Sequence, residues 1–155
     1  MSYERNGASA NYFIPNIPLA ATTAGVLREM DIGAASADHG ELICVKDCVV
    51  KRVGFIAVGE AVSGTTSAPQ VIFTKRPTPL SATDESVAAT VTVPSGTAVG
   101  SAIYKDINVA FKVGDSMEIS HVVGVGTPTG QGFYFMEAYD NQEVAGNNSE
   151  LTASA

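Results

Sequence analysis

The sequence predicts an all-β protein: an antiparallel, jelly-roll-like β-sandwich of about seven to eight strands with an extended N-terminal arm. Three observations lead there. The chain has 18 Val and 13 Thr against only 5 Leu. β-Branched residues suit a pleated, half-buried surface, whereas helices favour Leu, Glu and Lys. The 15 Gly and 7 Pro punctuate short apolar runs, which is the layout of a sandwich or barrel. The 21 Ala are scattered among Ser, Thr and Gly rather than set at helical spacing.

The chain divides into an arm (1–40), a sandwich domain (41–140) and a polar C-terminal tail (141–155). The arm shows no sustained period of two. Its apolar patch, Tyr12-Phe13-Ile14-Pro15-Asn16-Ile17-Pro18-Leu19, contains two prolines. Each fixes its own φ and pushes the preceding residue toward extended backbone, so the patch reads as extended chain. A short helical turn is expected over Thr23–Met30. Apolar side chains on an irregular segment need a surface, either the chain's own sandwich or a neighbouring subunit.

From Glu41 the pattern is regular. Glu41–Val45 is a first strand and Lys46-Asp47 a turn. Cys48–Val58 is a long second strand with a kink expected at Gly54. Glu60–Pro69 reads as a polar loop. Gln70–Lys75 is a third strand, stopped by Arg76-Pro77-Thr78-Pro79, and Ser81–Ser86 is a loop with Asp84 and Glu85 exposed. Val87–Val93 is a fourth strand, ended by Pro94-Ser95-Gly96. Gly96–Lys105 leads into a fifth over Asp106–Phe111, and Lys112–Asp115 is a turn. Ser116–Val123 is a sixth strand. Gly124–Gly132 reads as a glycine-rich hairpin loop, and Phe133–Tyr139 as a seventh strand.

A chain of 155 residues fits one domain and can bury roughly two-thirds of its unfolded surface. The net charge of −7, with no Lys/Arg cluster, argues against nucleic-acid binding. No apolar run approaches the ~20 residues of a membrane helix. The first residues, MSYERNGASANYF, lack the basic-then-apolar layout of a signal peptide.

Catalytic, cofactor and metal sites are not expected. Cys44 and Cys48 stand in a C-x3-C spacing with His39 close in sequence. A metal would need further ligands, and His121 and the carboxylates have no stated reason to be near. Buried thiols are the reading, with a disulfide across the turn as the alternative. The glycines of 124–132 match neither the dinucleotide nor the Walker pattern, and an alternating aromatic strand follows instead of a helix. No G-x-S-x-G elbow occurs. His121 reads as a strand-surface or interface residue rather than a general base. No D-x-[DN]-x-[DN]-G calcium loop is present. Asn147-Asn148-Ser149 matches a glycosylation sequon without a secretion signal to support its use. The interaction candidates are Tyr3, Tyr12, Phe13, Ile14, Ile17 and Leu19 on the arm. Thr65, Thr66, Thr127 and Gln131 are the exposed-loop candidates.

Three stretches in order, Val45–Val58 (VKDCVVKRVGFIAV), Val91–Asp106 (VTVPSGTAVGSAIYKD) and Phe111–Ser120 (FKVGDSMEIS), followed by Gly130–Tyr139, resemble a group of tailed-bacteriophage virion proteins. The shared features are a strand ending in a P-x-G-x-A-x-G loop and a G-D turn opening the next strand. The resemblance spans roughly residues 41–140. It implies a β-sandwich head decoration, or capsid cement, protein on the exterior of the virion, made in the host cytoplasm. Its partners would be the major capsid protein and copies of itself, as a homotrimer, with no nucleic acid or membrane partner. A tail, baseplate or fibre module that binds a host glycan or protein is the alternative. A cupin-type enzyme is a third, but it needs a His/Glu metal cluster that two histidines supply poorly.

Overall fold

A computed structural model of the chain describes residues 13–15, 30–79 and 81–140. Nine strands run through them: β1 (Phe13–Pro15), β2 (Met30–Asp31), β3 (Ala37–Cys44), β4 (Cys48–Ser67), β5 (Gln70–Arg76), β6 (Ser86–Thr92), β7 (Ala102–Phe111), β8 (Ser116–Val122) and β9 (Val125–Asp140). They form two antiparallel sheets, one in the order β1-β3-β8-β5-β6 and the other β2-β9-β4-β7. No helix occurs among the described residues. The all-β, sandwich-like reading of the sequence therefore holds.

Period-two alternation builds the core. Val53, Phe55 and Ala57 of β4, Val71 and Phe73 of β5, Ala89 and Val91 of β6, and Met117 and Ile119 of β8 are all buried. Residues two apart share a face of the pleat, so each strand delivers one apolar row to the space between the sheets. Phe73 reaches across to Tyr134 of β9 in an edge-to-face contact, with ring centroids 6.5 Å apart. Met30 and Ile32 are fully buried, so the C-terminal end of the expected arm contributes to this core before the chain enters β3 at Ala37. Of the expected helical turn over Thr23–Met30 only Met30 lies within the described residues, and it belongs to β2. The C-terminal tail (141–155) lies outside them.

Two expected loops are strands. Residues of Glu60–Pro69 continue β4 to Ser67, and residues of Gly124–Gly132 open β9 at Val125. The two stretches pair with each other: Glu60 opposite Gln131, Ser63 opposite Thr129, Thr65 opposite Gly126 and Ser67 opposite Val125. Their Ser, Thr and Gly content hides them, because the pairing is broken by repeated register shifts that spoil alternation. The long β4 is also zipped to the β6–β7 loop through Val62 N–H to Thr97 O (2.9 Å) and Gly96 N–H to Val62 O (2.7 Å).

The kink expected at Gly54 is a different feature. The register shift of β4 nearest to it falls between Val50 and Arg52. Gly54 sits in the regular ladder, and a Cβ there would lie 2.5 Å from the Phe135 ring and 2.6 Å from Ile103 O. Close approach, not bending, requires this glycine. Gly132 is tighter: a Cβ would stand 2.0 Å from Ile56 O and 2.6 Å from the Phe55 ring. Because the nearer atom is backbone, trimming Phe55 cannot relieve it. Gly132→Ala is expected to destabilise by about 3 kcal/mol, the upper end of ordinary overpacking, measured by urea unfolding. A loss below about 0.5 kcal/mol would show that β9 shifts freely past β4.

Candidate functional site

Among the arm candidates, Tyr3, Tyr12, Ile17 and Leu19 lie outside the described residues. Phe13 and Ile14 belong to β1, where Phe13, Ile14 and Pro15 face Cys44, Ile43 and Leu42 in register. An extended Pro-containing segment thus adds to the edge of the larger sheet. Pro tolerates an edge position because its missing N–H need not serve a second neighbour.

The four loop candidates gather on the β4–β9 ribbon. Thr66 and Thr127 are exposed, while Thr65 and Gln131 are half-buried. Thr66 Oγ1 donates to Val125 O (3.0 Å), Val125 N–H donates to Ser67 Oγ (2.9 Å), and the Ser63 and Thr129 hydroxyls are 2.9 Å apart. Gln131 lies opposite both Glu60 and Asp31. These side chains belong to a hydrogen-bonded ladder rather than to mobile loops.

Two clusters that the sequence did not reveal occupy the larger sheet. The first surrounds Arg76 at the end of β5. Its Nε is 3.0 Å from Glu85, its Nη2 2.9 Å from Glu118 and its Nη1 3.8 Å from Glu41. Glu41 is buried and accepts a hydrogen bond from the Ser116 hydroxyl. Register explains the gathering: Glu41 faces Glu118 across β3–β8, Glu118 faces Thr74 across β8–β5, and Arg76 faces Ser116. Burial pushes the Glu118 carboxyl above the usual carboxylate range, with Asp38, Glu85 and Glu41 adding to the rise and Arg76 opposing it. Burial pulls the Arg76 guanidinium down, but its carboxylate partners outweigh that and hold it above its ordinary value.

The second cluster joins the only two histidines of the chain. His39 Nε2 and His121 Nδ1 are 2.6 Å apart, and His121 Nε2 is 3.2 Å from Ala34 O. The rings are tilted by 34° with centroids 4.8 Å apart. His121 is buried at 2% exposure, which corrects its assignment to the strand surface. It shares the inward face of β8 with Met117 and Ile119. The bulge of β3 between Asp38 and Gly40 is what brings His39 to it, since a bulge re-aims a side chain out of the regular ladder. Eighty-two residues of separation left no sequence signal for this pair.

Cys44 and Cys48 are both buried and are not joined in a disulfide, with sulfurs 3.9 Å apart. Burial pushes the Cys44 thiol up, partly offset by its hydrogen bond to Lys46 O. They line the crossover from one sheet to the other as small apolar groups. Among the described residues, no group of three or more His, Cys, Asp or Glu side chains is arranged to hold a metal ion. No family model, curated protein or solved structure matches the chain.

Proposed function

We propose that this chain is a non-enzymatic capsid decoration protein. It would bind the outer surface of a phage head as a homotrimer and stabilise the lattice through contacts with the major capsid protein. The carrying observation is the addition of β1, from the arm, to the open edge of the larger sheet. Strand addition to a sheet edge gives affinity through main-chain hydrogen bonds and works equally within or between subunits. A link of 14 residues, the number between Pro15 and Met30, can span at most about 45 Å, which leaves room for β1 to pair within or between subunits. The order of the short motifs between residues 41 and 140 supports the phage reading, and a jelly-roll-like sandwich is the fold this class implies. An acidic surface of net charge −7 suits a protein displayed at high density, where like charge keeps particles apart.

Removal of residues 1–20 tests the arm. The truncated chain is expected to keep its strand signature by circular dichroism, to run as a monomer by light scattering, and to stop co-sedimenting with purified heads. Unchanged assembly and unchanged head binding would reject the role given to the arm. Its copy number in virions, by quantitative mass spectrometry, tests the reading as a whole. Near parity with the capsid protein is expected. A far lower ratio would place the chain in the tail or fibre, and absence from virions would overturn the proposal.

A further inference from the structure

We propose that Cys44 and Cys48 are a redox pair that closes to a disulfide in an oxidising medium and locks the two sheets together at the corner where β3 passes into β4. This goes beyond the decoration reading and does not depend on it.

The corner is where the chain leaves one sheet for the other. Cys44 ends β3 in the larger sheet, and Cys48 opens β4 in the smaller one. Three exposed residues, Val45, Lys46 and Asp47, join them. Both backbones are held. Cys44 N–H donates to Asp115 O (2.8 Å) and Cys44 O accepts from Gly114 N–H (2.9 Å), which fixes this residue to the turn between β7 and β8. Cys48 stands in register between Phe111 of β7 and Asp140 of β9. The two side chains meet in the interior, at 1% and 0% exposure, with sulfurs 3.9 Å apart. An S–S bond of about 2.05 Å therefore asks for an approach of roughly 2 Å, a displacement on the scale of side-chain rotation rather than strand movement.

The fold also sets how the pair reacts. Burial pushes the Cys44 thiol up, and the thiolate is the nucleophile in exchange, so the closed fold reacts slowly. Access runs through the turn. Two of its ties are the Cys44 Sγ–H to Lys46 O bond (3.0 Å) and the Val113 N–H to Asp47 Oδ1 bond (2.9 Å), and the second lies at the exposed surface. Opening of the turn at these bonds uncovers Cys44 first.

The oxidant is a small disulfide of the glutathione type. Cys44 loses its proton, and its sulfur attacks one sulfur of the oxidant. One thiolate leaves, takes up a proton, and Cys44 keeps the other half as a mixed disulfide. Cys48 loses its proton in turn, attacks the Cys44 sulfur and expels the second thiolate, which is protonated. Two protein thiols are oxidised, one small disulfide is reduced to two thiols, and the protein ends two hydrogens lighter. The ring so closed contains five residues, Cys44 to Cys48. Loop-closure entropy for a ring of that size makes the bond about thirtyfold more favourable in a fold that already holds the sulfurs together than in the unfolded chain. By reciprocity the bond favours the fold by the same factor.

The test needs no variant. The full wild-type chain is equilibrated near pH 8 in mixtures of reduced and oxidised glutathione. Equilibrium is approached both from the native protein and by refolding from urea, so that slow access to buried sulfurs does not limit the result. Acid quenching, alkylation in denaturant and intact-mass spectrometry then count reduced, mixed and closed chains. The expected product is two hydrogens lighter, takes up no alkyl group and runs as a single chain on a denaturing, non-reducing gel. Its closure constant is expected to be about thirtyfold higher than that of the same chain held in urea. A chain that stops at the mixed disulfide, bonds between chains in place of the internal one, or a closure constant no higher than in urea would each overturn the proposal. Thermal unfolding gives a second readout: the closed chain is expected to melt above the reduced one. Melting at or below it would reject a lock between the sheets.

Discussion

Arg76→Met is expected to lower stability at pH 7 by about 3–5 kcal/mol, the cost of leaving buried carboxylates without their cation. One guanidinium serves Glu41, Glu85 and Glu118, and the side chains of Glu41, Glu118 and Arg76 are only 4%, 15% and 17% exposed. Methionine conserves much of the apolar stem, so the loss reports charge and hydrogen bonding more than packing. The effect depends on pH with a definite sign. The Glu118 carboxyl already stands above the usual range because of burial, and Arg76 is the group that holds it down. A carboxyl raised in the folded state favours folding at low pH, and that contribution is lost as pH climbs from the ordinary glutamate value of about 4.3 through the raised one. Removing Arg76 lifts it further. The variant should therefore approach wild type near pH 4.5 and fall away from it toward pH 7.5. Urea melts at four pH values across that window check this. A difference that stays constant with pH, or that stays under about 1 kcal/mol, would show the cluster to be solvated surface. Arg76→Lys keeps the charge but not the fork that reaches several carboxylates at once, and should lie between.

The fold was legible where residues are repetitive and local. The alternation of Gln70–Lys75, Val87–Val93 and Ser116–Val123 announces β5, β6 and β8 to within a residue or so, because burial of one face leaves a period of two in the sequence. The ends of β4 and the start of β9 were not legible. Gly64 and Gly126 take positive φ angles of 70° and 117°, and each register shift resets the alternation, so the ribbon looks like two loops to any local reading. The sites were hidden for another reason. The Arg76 cluster draws on four strands or their flanks, and the histidine pair depends on a single bulge in β3. Both are products of register between distant segments, which no spacing along the chain encodes. Cys44 and Cys48, by contrast, are neighbours in sequence and in space, and their burial followed from residue type alone.

Phe73→Ala is the largest single loss expected from the core, about 3–5 kcal/mol. Phe73 is fully buried on β5, between β8 and β6 in the larger sheet. Its ring spans the gap between the sheets to meet Tyr134 at a 79° interplanar angle. Truncation removes apolar area from both sheets at once and leaves a void that two separately hydrogen-bonded layers cannot easily close. Phe73→Leu refills part of that void and loses the aromatic contact, worth about 0.5–1.5 kcal/mol beyond area, so it should cost much less than alanine. Tyr104→Ala is the comparison on the outside: its residue is 54% exposed with the Arg52 guanidinium 4.1 Å above its ring, and its loss should stay within about 1 kcal/mol. Chemical denaturation of the three variants gives the ranking, and comparable losses for Phe73→Ala and Tyr104→Ala would contradict this description of the core. Repeating Phe73→Ala without residues 1–20 adds a second test. Phe73 sits two strands away from the edge that β1 extends, and distant sites add within about 0.5 kcal/mol. The cost should be the same with and without the arm if the arm is an addition to a sandwich that stands without it. A cost that collapses in the truncated chain would mean that β1 is part of what closes the core, and that the arm and body fold as one unit.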